Sequence, residues 1–155
     1  MRHRVTSVTT AILFGALLTA ALACPDNSLL PPADGKLELG TWGGDSAALI
    51  ATDSLTHLHI GCTFGNMPGN ILLNAAGQFS VDGNYTLHAY PVQVGPSVPA
   101  RFVGEVRGKI LTISVTVNDT VEKKVVELGP ATLTLGRTPQ YLPCPICLVP
   151  KSSTR

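Results

Sequence analysis

Residues 109–118 leave little freedom in what they can become. Leu111, Ile113, Val115 and Val117 share one parity, and Thr112, Ser114 and Thr116 the other. Strand side chains alternate between two faces, so a period of two built largely from β-branched residues predicts a strand with one face in a core and the other in water. The run before it repeats the pattern, Phe102, Gly104 and Val106 alternating with Arg101, Glu105 and Arg107. The two meet at Arg107-Gly108-Lys109, where glycine supplies the positive φ of a tight turn, and a β-hairpin is predicted there.

Other runs read the same way. Residues 47–52 and 55–61 join at Asp53-Ser54, and residues 70–74 and 78–81 join at Ala75-Ala76-Gly77. Further strands are predicted over residues 37–42, 84–90, 123–128 and 131–135. No helical stripe appears after the first 23 residues, and 15 glycines and 12 prolines argue the same way. Eight to ten short strands with sequential hairpins predict an all-β domain, a small antiparallel up-and-down barrel, since closing the sheet removes exposed edges.

The first 23 residues carry a different signal. Arg2 and Arg4 precede the uncharged run 11–23, which ends in Ala21-Leu22-Ala23 before Cys24. A basic start, a short apolar stretch and small residues at the exit predict a secretory signal peptide over 1–23. The run is shorter than the roughly 20 residues that cross a bilayer. Ala20-Ala21-Leu22-Ala23-Cys24 resembles a bacterial lipobox, with Ala where the commonest form has Leu three places before the cysteine. That resemblance implies acylation of Cys24 and a lipid-anchored protein of the cell envelope. Plain cleavage after the Ala-x-Ala site would instead leave a soluble secreted or periplasmic protein. Residues 24–36 read as a tether, 37–137 as the barrel domain, and 138–155, with Pro139, Pro143, Pro145 and Pro150, as a proline-rich tail.

Without Arg2 and Arg4, nine of the eleven basic residues remain against ten acidic ones. There is no basic face for nucleic acid, and the membrane is expected to be met only through Cys24. No catalytic signature appears: Gly-x-Ser-x-Gly, His-Glu-x-x-His, P-loop and Rossmann patterns are all missing. The expectation is a non-catalytic binding or interaction module without a cofactor. Its partner would be a small apolar ligand among Trp42, Phe79, Tyr85, Tyr90 and Phe102, or an envelope protein docked on a filled barrel. The apolar, proline-punctuated run 91–99 is a candidate docking edge.

Cys24, Cys62, Cys144 and Cys147 are the cysteines. In an oxidising compartment a structural bridge is expected, and Cys62–Cys144 closes a far longer loop than Cys144–Cys147; Cys62–Cys147 is the next choice. Cys144-Pro145-Ile146-Cys147 lacks the helix N-terminus that redox chemistry would want. His57 and His59 share one face of a strand, a weak metal candidate, while parity turns Cys62 the other way.

Gly40-Thr41-Trp42-Gly43-Gly44 resembles the opening of small exported bacterial proteins of unknown function. The similarity continues at Cys62, Gly77-Gln78-Phe79, Gly83-Asn84-Tyr85, the run 100–108 and Cys144. It implies a fold and a compartment but brings no activity. Gly40-x-Trp42 is also similar to the Gly-x-Trp of the first lipocalin strand. That resemblance implies a tryptophan closing one barrel end with an arginine across it, here Arg137.

Overall fold

The alternating pair becomes a hairpin of two ten-residue strands, β6 (Val98–Arg107) and β7 (Ile110–Asp119), in the register Arg107↔Ile110. Gly108 turns between them with φ of 57°. The computed structural model describes residues 30–88 and 94–140. Before this hairpin run β1 (Gly40–Gly43), β2 (Ala47–Ala51), β3 (Leu55–Ile60), β4 (Thr63–Pro68) and β5 (Gln78–Thr86), and after it β8 (Lys124–Leu135). Each strand pairs antiparallel with the next, and β8 returns to β1, so the eight close an up-and-down barrel. One end carries the β2–β3 and β6–β7 turns and the long β4–β5 connection. The other carries the β1–β2, β3–β4 and β7–β8 turns.

The interior is a packed core. Trp42, Leu49, Leu58, Met67, Tyr85, Phe102, Val106, Leu111, Ile113, Val115, Val117 and Leu133 are all essentially inaccessible to water. Each such side chain contributes roughly 1.5–3 kcal/mol of hydrophobic stabilisation relative to exposure. The outer face carries polar rungs. Asp82, Arg101, Thr116 and Glu127 form one rung across β5 to β8. Arg101 grips Asp82 through Nε and Nη2 at 2.9 and 3.1 Å, and the Thr116 hydroxyl donates to Glu127 at 2.8 Å. A filled apolar interior is the reverse of the polar interior of a membrane-spanning barrel.

Four stretches differ from the sequence reading. A strand, β4, occupies residues 63–68, where the sequence reading places none. Gly65 is there for space. A Cβ would stand 2.3 Å from the Tyr85 ring and 2.8 Å from that of Phe102, so the strand passes beneath two aromatics. The run 70–74 makes only an isolated bridge, Lys36↔Leu72, and not a hairpin arm. β5 and β8 are each one strand where two shorter runs read separately. β5 continues through Gly83, and β8 through a bulge at Gly129-Pro130 opposite Ser114.

Closure between β8 and β1 rests on two pairs, Trp42↔Leu135 and Gly43↔Thr134. The chain then turns at Gly136 and lays residues 137–140 back over β1. Gln140 donates to Gly44 O at 3.0 Å and accepts from Ser46 N at 2.7 Å. The segment lies so close on Gly43 that a Cβ there would meet Arg137 O at 2.1 Å. The described part of the segment expected as a tether is also docked. Leu30 O accepts from Gly108 N, Gly35 O accepts from Leu73 N at 2.8 Å, and Lys36 bridges to Leu72.

Candidate functional site

The aromatic ligand candidates are core residues. Trp42, Phe79, Tyr85 and Phe102 are buried inside the barrel, while Tyr90 lies outside the described residues. Tyr85 and Phe102 meet at 6.1 Å between centroids. The Tyr85 hydroxyl bonds that of Thr63 at 2.8 Å, and burial pushes its pKa up to about 12 against the lowering effect of that bond. Phe79 covers Gly104, where a Cβ would come within 2.5 Å of its ring. The Trp42 indole donates to Glu38 O at 3.0 Å. Arg137 does not cross the tryptophan: its guanidinium pairs with exposed Asp45.

A cleft of about 1010 Å³ lies on the outer wall, where β5, β6 and β7 meet the β4–β5 connection. Leu72, Val103 and Ile110 give it exposed apolar walls, with Gln78, Glu105 and Arg107 as polar neighbours. Glu105 and Arg107 are ion-paired. Sequence reasoning missed this surface, although a signal was there. Val103 occupies the water-facing parity of a strand whose other outward residues include Arg101, Glu105 and Arg107. Only the strand order brings Val103, Ile110 and Leu72 together. In the apolar run 91–99, Val94 is exposed and Val98 is buried at the start of β6, while residues 91–93 lie outside the described residues.

A second cluster stands on the outer face of β3 and β4. Register places His57 opposite Asn66 and His59 opposite Phe64. His57 Nδ1 is 2.6 Å from Asn66 Oδ1, and the two histidine Nε2 atoms are 2.8 Å apart. Phe64 packs against both rings, at 5.6 and 5.7 Å between centroids. Cys62 falls beyond the end of β3, half-buried in the turn to β4, where strand parity no longer applies. Among the described residues no third His, Cys, Asp or Glu joins the pair. Cys24, Cys144 and Cys147 lie outside the described residues.

Burial first, and the neighbouring His57 second, hold the His59 pKa below its usual 6.5. A depressed histidine favours the neutral form in the fold, whereas the unfolded chain takes up its proton near pH 6.5. The stability linked to His59 is therefore complete above about pH 6.5 and is lost as pH falls toward the folded value. Urea midpoints should decline between pH 7.5 and 5.5, with a smaller slope in His59→Gln. Equal slopes in the two proteins would contradict this.

No protein-family model matches the chain, and comparison with curated proteins and with solved structures likewise gave no match.

Proposed function

We propose that the protein is a non-catalytic interaction module of the cell envelope, in which the barrel is a rigid support and recognition takes place on its outer wall. The observation that carries this reading is a contrast. Large side chains fill the interior, while the cleft lies outside and exposes Leu72, Val103 and Ile110 beside the Glu105–Arg107 pair. Exposed apolar residues rimmed by polar ones mark interaction surfaces. An open wall of this kind suits a segment of a partner protein better than an enclosed small molecule. The small apolar ligand remains the competing form of the same binding reading, and it would have to lie in this cleft.

Export through residues 1–23 and a lipid anchor on Cys24 belong to the proposal. Leu30 is bonded to the β6–β7 turn, at the barrel end next to the cleft. An anchor six residues upstream would therefore hold that end within about 20 Å of the membrane. A Cys62–Cys144 bridge is supported by hydrogen bonds at the other end. Ser46 O accepts from Gly61 N at 2.6 Å, and Ser46 N donates to Gln140 O. Gln140 and Gly61 are thus about two strand spacings, or ~10 Å, apart, within the ~14 Å that four residues span.

A photo-crosslinking side chain at Val103 or Ile110 in the exported protein should trap an envelope protein. The same group at exposed Val125 on β8 should not. Native mass spectrometry of the purified protein should find no retained small molecule. A stoichiometric apolar ligand, or equal adducts at all three positions, would overturn the partner-docking reading.

A further inference from the structure

We propose that His57 and His59 form a two-imidazole site for Cu(II) on the outer face of β3, independent of the cleft. The argument begins with tautomers. Asn66 Oδ1 can only accept, so His57 Nδ1 carries a proton and its Nε2 presents a lone pair toward His59. A carbonyl holding the distal ring nitrogen is the usual way in which a metal-binding histidine is oriented. Phe64, packed on both rings, restricts their rotation. The aim of the site is thus set by neighbours on β4 before any ion arrives.

Distances then choose the geometry. Two imidazole nitrogens bound at about 2.0 Å stand ~2.8 Å apart when they subtend a right angle, but ~3.3 Å apart at a tetrahedral centre. The observed separation is 2.8 Å. Ring centroids at a right-angled centre would be ~4.5 Å apart with the same bond length, and they are found at 4.7 Å. A right angle between nitrogen ligands belongs to square-planar or tetragonal Cu(II) and Ni(II), and copper is the tighter binder of the two. The proton now shared between the two Nε2 atoms leaves that position as the ion enters, passing to water. Water completes the coordination, and the half-buried histidines face the solvent side of the wall.

Strand parity alone would align any two histidines at i and i+2. The addition here is Asn66, which register and not sequence proximity places behind His57.

The test is a titration of the full exported chain, without a histidine tag, with a copper(II) salt, followed by calorimetry and electron paramagnetic resonance. One Cu(II) per chain is expected, with a tetragonal spectrum showing coupling to two nitrogens. The double substitution H57A/H59A should abolish that signal while leaving the β-sheet circular dichroism unchanged. Asn66→Ala should weaken binding by about 10–100-fold, the range found when a supporting partner of a metal-bound histidine is lost. Copper bound as tightly by H57A/H59A as by the native chain would overturn the proposal. So would zinc bound in preference to copper, which would point to a tetrahedral site elsewhere.

Discussion

Phe102→Ala is expected to lower stability by about 3–5 kcal/mol, the usual cost of emptying the place of a buried phenylalanine. In a domain of this size that corresponds to a fall in thermal midpoint of roughly 10–20 °C. The expectation rests on how many neighbours are shaped around this ring. Gly65 and Gly83 both lack a side chain where Phe102 lies, a Cβ at Gly83 standing 2.9 Å from the ring. Tyr85 leans on it from the adjacent strand. Backbone beneath a ring cannot collapse far into the space the ring leaves, so the cavity term should persist. Val103→Ala, one residue on and facing outward, should change stability by less than about 0.5 kcal/mol. Chemical denaturation of both variants separates the cases. A loss below about 1 kcal/mol for Phe102→Ala would mean that the barrel centre is not packed around this ring, and the interior would again be a place for a ligand.

The second large effect concerns the seam. Only two residue pairs join β8 to β1, and residues 137–140 lie across that junction. A bridge from Cys62 to Cys144 would tie the end of this strap to the β3–β4 turn. In the chain-entropy account, closing a loop of roughly 83 residues contributes about 4.5 kcal/mol. Cys62→Ala and Cys144→Ala should therefore each destabilise the protein by a few kcal/mol. The double variant should lose no more than either single one, because one bond is removed in all three. Peptide mapping without reductant should recover the fragment linking Cys62 to Cys144. Recovery of Cys62 linked to Cys147 instead would transfer the bridge, and additive losses in the double variant would remove it.

Much of the architecture was legible because it depends on local alternation. The β6–β7 hairpin needed only Leu111, Ile113, Val115 and Val117 on one parity and a glycine at the turn. The β2–β3 hairpin needed only two short apolar runs around Asp53-Ser54. Closure followed from the succession of hairpins. The misreadings share a cause: glycine and proline are ambiguous in one dimension. Gly83 fell between two runs read as separate strands, whereas in the barrel it is a position inside β5 against which Phe102 packs. Gly129-Pro130 read as a strand break, whereas β7 tolerates it as a bulge within one continuous β8.

Sequence alone determined that this chain makes alternating strands with Trp42, Phe79, Tyr85 and Phe102 among its largest apolar side chains, because each of those facts is written within a few consecutive residues. Tertiary structure decided where these rings go, and it put them in the core and not at a mouth. It also decided which outward residues become neighbours: Leu72 with Val103 and Ile110 in the cleft, and Asn66 behind His57. Those meetings depend on the register between strands that are distant along the chain. A shift of one residue turns every side chain to the opposite face, so no local pattern can specify them.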